Sequence, residues 1–137
     1  MRRVLVLFAA FAAVLALASP AQAAEQFKSE LLGANEVGGG DPDGHGMARV
    51  IVRQDGAVCF DLAVTGVAPI LAGHIHEGAV GVNGGVVVDL DIAGNGLSGC
   101  VVADTAVLAA IRANPSGYYF NLHNADYPAG ALRGQVG

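Results

Sequence analysis

The nine residues AVCFDLAVT, Ala57 to Thr65, alternate in character along their whole length. Val58, Phe60, Leu62 and Val64 fall on one side of an extended chain, and Cys59, Asp61, Ala63 and Thr65 on the other. Neighbouring side chains of a strand point to opposite faces, so this period of two predicts a sheet with one buried face. Further short β-like runs lie at Gln26–Leu32, Met47–Arg53, Ala72–Glu77, Gly85–Asp91, Leu97–Ala103, Tyr118–Asn124 and Ala131–Val136, separated by Gly, Asn and Asp turns. Eight short strands at this spacing predict an all-β, antiparallel sandwich.

One helix interrupts the pattern, at Asp104–Ala113. Asp104 can cap it by accepting a backbone N–H bond. Val107, Leu108 and Ile111 form its apolar stripe. Asn114-Pro115 ends it, because proline disfavours helical geometry in the residue before it. The Asn83-Gly84 pair in "VNGG" predicts a positive-φ turn ahead of the fifth strand.

The first 23 residues read differently. Arg2 and Arg3 precede an apolar run from Val4 to Ala18, and Ala21-Gln22-Ala23 makes an A-x-A exit. This predicts a secretory signal peptide over 1–23, a mature domain over 24–137, and a secreted or periplasmic location. The apolar run is too short to span a bilayer comfortably, and no membrane insertion is expected after cleavage. Loss of Arg2 and Arg3 moves the formal charge from −5 to −7. With scattered acids and no basic stripe, nucleic acid is not an expected partner.

Cys59 and Cys100 are the only cysteines, and both lie in the mature part. An even count in an exported chain favours a disulfide. Closing that loop would stabilise the fold by about 4 kcal/mol on the chain-entropy account. A pair of buried thiols is the alternative.

Three histidines share a placement. In "LAGHIHE", Leu71, Gly73 and Ile75 occupy one face, and His74 and His76 the other. In "GYYFNLHN", Tyr118, Phe120 and Leu122 are apolar, while Tyr119, Asn121 and His123 point away from them. In "ALRGQV", Arg133 lies opposite Leu132 and Val136. If these strands are neighbours, His74, His76, Asn121, His123 and Arg133 converge as a polar cluster. Two chemistries fit. One is a hydrogen-bonded network in which Glu77 or Asp126 holds Arg133. The other is a single Cu or Zn site ligated by His74, His76 and His123, with Glu77 and Tyr119 around it. Against the second, a guanidinium repels a divalent cation unless an anion lies between them. His45, in the Gly-rich stretch Gly38–Gly46, reads as exposed. No serine sits in a nucleophile elbow, and there is no GxGxxG or phosphate loop. The acids form no evident acid/base pair, so no catalytic residue is assigned.

"LLGANEV", "HIHEGAVGVNGGVVVDL" and "NPSGYYFNLHNADYPAGALRGQV" together resemble the CHRD domain, named for its repeats in chordin. The shared pattern falls on His74, His76 and Gly78, on Tyr118, Tyr119, Asn121 and His123, and on Pro128, Gly130, Arg133, Gly134 and Gln135. The usual prolines after Val37 are replaced by Gly38-Gly39, which predicts a more mobile loop. The resemblance implies a Greek-key β-sandwich and an extracellular setting. It suggests a binding or structural module whose partner is an unknown extracellular protein or small ligand. A weaker similarity is to copper/zinc superoxide dismutase, which also carries an H-x-H pair on a strand of a Greek-key sandwich. No further histidine lies between His76 and His123, so the chain lacks a two-metal ligand set. At most one ion is expected, in a metal carrier or copper oxidoreductase.

Overall fold

Alternation carries the chain into eight strands: β1 (Glu25–Leu32), β2 (His45–Val52), β3 (Ala57–Thr65), β4 (Ala72–Glu77), β5 (Val86–Asp89), β6 (Ser98–Val102), β7 (Tyr118–His123) and β8 (Leu132–Gln135). A computed structural model describes residues 24–137; the expected signal peptide lies outside the described residues. All pairings are antiparallel, in the order β5-β4-β7-β8-β1-β2-β3-β6. The fold is therefore all-β, with the layers of the expected sandwich joined in one continuous, nearly closed sheet. β3 is not bonded to β4, nor β5 to β6, so the chain crosses between the two halves instead of meandering.

The core lies on the concave side. Val50, Val58, Phe60 and Ile75 from three different strands are buried there with Phe120, Leu122 and Leu132. The joint between halves is narrow. Leu32 stands opposite Arg133, and Lys28 exchanges backbone hydrogen bonds with Gly137 at 2.9 and 3.2 Å. Ser29 Oγ adds a bond to Gln135 O at 2.7 Å.

Helix α1 (Ile92–Asn95) is a single turn that periodicity did not predict. Helix α2 (Thr105–Ala113) matches its expectation: the Asp104 side chain accepts from Ala106 N and Val107 N, and Leu108 and Ile111 are buried. A 3-10 turn begins at Pro115. On β3, Val58, Phe60 and Leu62 face inward, while Cys59 lies on the outer face, opposite Cys100 of β6 and bonded to it.

Three local expectations need correction. Leu71 precedes β4 and is exposed, so it does not share the core with Ile75. The positive φ of the β4–β5 loop belongs to Gly81, not to Asn83-Gly84. β7 is buried on both faces, not on one. Its outer face is covered by two loops, residues 33–44 and 78–85, which reach Asn121 and Arg133 through side-chain hydrogen bonds.

Candidate metal centre

The register of three adjacent strands assembles the site. His74 stands opposite Asn121, His76 opposite Tyr119, and Ala72 opposite His123 on β4 and β7. Asn121 is in turn opposite Arg133 of β8. These side chains share the face opposite Ile75, Phe120 and Leu122, as alternation requires. One ring nitrogen from each of His74, His76 and His123 lies within 4.8 Å of the others.

Hydrogen bonds decide which nitrogens are free. His76 Nδ1 is 2.9 Å from Gly84 O, and His123 Nδ1 is 3.1 Å from Pro128 O. A carbonyl can only accept, so both Nδ1 atoms carry the proton and both Nε2 atoms present a lone pair. His74 Nδ1 lies 3.1 Å from His123 Nε2 and is the donor of that pair. His76 Nε2 is left over. It is the one fully enclosed side-chain nitrogen or oxygen among the described residues without a hydrogen-bond partner. Leaving such an atom unpaired costs about 1–3 kcal/mol.

The arrangement suits a metal ion. Metal-bound imidazoles usually donate their other N–H to a carbonyl or carboxylate, which fixes the tautomer. His76 and His123 already do so. Two nitrogens, each about 2.0–2.1 Å from a shared ion, stand about 2.9 Å apart at a right angle and about 3.4 Å apart at a tetrahedral angle. The 3.1 Å between His74 Nδ1 and His123 Nε2 falls in that interval; an ion held by both would replace the proton that His74 Nδ1 donates and shift it to Nε2 of that ring. Burial holds His74 below the ordinary imidazole range, opposed by Asp89 and reinforced by His76. Burial also lowers His123, helped by His74 and His76 and opposed by its bond to Pro128. Both rings thus resist protonation and keep lone pairs available.

The remaining expected residues separate into two groups. Tyr119 stacks on His76, with ring centroids 4.9 Å apart and planes 12° from parallel. Asn121 is buried and donates to Glu36 Oε1. Arg133 does not join the imidazoles. Its guanidinium donates to Asn83 Oδ1, Ala79 O and Val82 O, and lies over the Tyr119 ring. Neither Glu77 nor Asp126 holds it, and Glu77 is exposed on the face away from His76. His45 is exposed, as expected.

Glu36 was not anticipated. It follows the 3-10 turn Gly33–Asn35, in a loop where no periodicity marks a facing side. Burial raises its carboxyl to about 7, with Arg133 and the bond from Asn121 pulling the other way. A Cβ on Gly130 would lie 2.6 Å from Glu36 Oε1, so glycine there makes room for the carboxylate. Glu36 and Arg133 line a cavity of about 440 Å³ with Val37, Val80 and Gln135; none of the three imidazoles lines it.

The fold and site define a small all-β domain with three convergent imidazoles on the outer face of its sheet. The family model for the CHRD domain matches residues 27–136, and the chain belongs to that family. No curated protein and no solved structure matches it.

Proposed function

We propose that the chain is an exported CHRD binding module whose ligand is a single copper or zinc ion, held by His74, His76 and His123. The observation that carries this reading is the enclosed, unpartnered Nε2 of His76 beside two other imidazoles. A hydrogen-bonded network accounts for every other fully enclosed side-chain nitrogen and oxygen among the described residues but leaves that lone pair unexplained. An all-imidazole donor set suits Cu or Zn better than Mg or Ca, which take oxygen ligands. Three protein ligands leave a coordination position for water or a small ligand. The donors of Arg133 turn to the loop carbonyls and not to the imidazoles, which lessens the electrostatic objection raised by its sequence position.

Elemental analysis of the mature, untagged chain after equilibration with copper or zinc and desalting tests the proposal. One ion per chain is expected in the wild type, and none in His76→Ala. A metal-free wild type, or a variant that retains its full complement, would refute it. The signal-peptide reading has its own check. Expression of the full chain with its leader should yield exported protein beginning at Ala24, read by N-terminal sequencing.

A further inference from the structure

We propose that Arg133 is a positioning residue for His76, acting through the loop of residues 78–85; the inference rests on the three-imidazole reading above. His76 can offer Nε2 only while Nδ1 keeps its proton, and Gly84 O is what holds that proton in place. Gly84 belongs to a segment without regular secondary structure, so its carbonyl is fixed only by what grips the segment. Glu77 N donates to Gly85 O at 3.1 Å and Gln135 Nε2 to Gly78 O at 2.6 Å at the ends of the segment, and two residues hold its middle. Gly84 N donates to Tyr119 Oη at 3.1 Å, and the same phenol ring stacks on His76. Arg133 donates to Ala79 O at 3.2 Å, Val82 O at 2.6 Å and Asn83 Oδ1 at 2.9 Å. Its guanidinium carbon also stands 3.4 Å from the centre of the Tyr119 ring.

Arg133 thus holds both structures that touch His76: the loop that fixes its proton and the ring that packs on its face. The residue is only 2% exposed, and it sits on the strand that stitches the two halves of the sheet. The only ion pair among the described residues joins Arg53 and Asp55; Glu36 acts on Arg133 electrostatically without pairing with it, and the guanidinium's hydrogen bonds go to the loop. Its forked donors answer a loop of carbonyls, a task a lysine ammonium cannot perform in the same geometry. The loop itself is tightly drawn: a Cβ on Gly84 would fall 1.6 Å from Glu77 O.

The test is copper(II) titration of the mature chain against a competing chelator, with electron paramagnetic resonance of the loaded protein. Arg133→Lys keeps the charge and loses the fork. Asn83→Ala combined with Tyr119→Phe leaves Arg133 in place and removes the side-chain contacts that hold Asn83 and Gly84, and it carries the test if Arg133→Lys does not fold. Each is expected to bind copper about 10- to 100-fold more weakly and, when loaded, to show a spectrum altered from that of the wild type. Folded variants with wild-type affinity and spectrum would overturn this inference alone. A wild type that binds no copper would overturn both it and the reading on which it rests.

Discussion

At the scale of single residues, the site is a problem of proton placement. Backbone carbonyls hold the protons of His76 and His123 at Nδ1, and burial keeps His74 and His123 reluctant to gain a second. Both of the latter bind protons less readily folded than unfolded. Their contribution to stability is therefore complete above the ordinary value of 6.5 and is lost as pH falls through their depressed folded values. Glu36 has the opposite sign. Its carboxyl is raised to about 7, so its contribution is complete below 4.5 and is lost as pH rises through about 7. Glu36→Gln can still accept from Asn121. Denaturant melts of this variant should lose the part of the stability decline between pH 4.5 and 7 that the wild type shows. An identical pH profile in the two proteins would refute the assignment. His45→Ala, at an exposed ring, should leave metal stoichiometry untouched.

At the scale of elements, what the sequence disclosed followed from alternation. β3 and β4 were read to their end residues because Val58, Phe60, Leu62 and Ile75 alternate with smaller or polar neighbours. The same period placed His74, His76 and His123 on one side of two strands. Pairing of β4 with β7 then brought them together. Alternation says nothing about what covers a face, and for that reason it placed Arg133 on the shared face but not the partners of its guanidinium. Its direction is set by Ala79, Val82 and Asn83, in a loop whose path no local pattern encodes. Glu36 escaped for a similar reason, since its partner Asn121 is 85 residues away. The cysteines were legible because two in one chain can pair in only one way within it. Their bond ties edge strand β6 to β3 across 41 residues. Replacing both with alanine should cost about 4 kcal/mol of unfolding free energy in denaturant titrations. A loss below about 1 kcal/mol would mean that β3–β6 pairing holds without the cross-link. At α2, Asp104→Ala removes an acceptor from two backbone N–H groups and should cost about 1 kcal/mol in the same assay.

At the scale of the whole molecule, one sheet curls around one core and leaves its chemistry on the outside. The imidazoles sit on β4 and β7 in one half, and the loops that bury their neighbours spring from both halves: residues 33–44 after β1 and residues 78–85 after β4. Metal binding should therefore stabilise the global fold. An ion present at about 1,000 times its dissociation constant contributes about 4.1 kcal/mol. In a domain of this size that raises the melting temperature by more than about 10 °C. Calorimetry with copper or zinc, and again after adding a chelator, should show the rise and its reversal. The most direct measurement is X-ray absorption on residues 24–137 equilibrated with copper or zinc and desalted. The account predicts one ion per chain with three imidazole nitrogens at about 2.0–2.1 Å, and loss of that signature in His76→Ala. A desalted protein without metal, or an ion whose shell contains no imidazole, would contradict it.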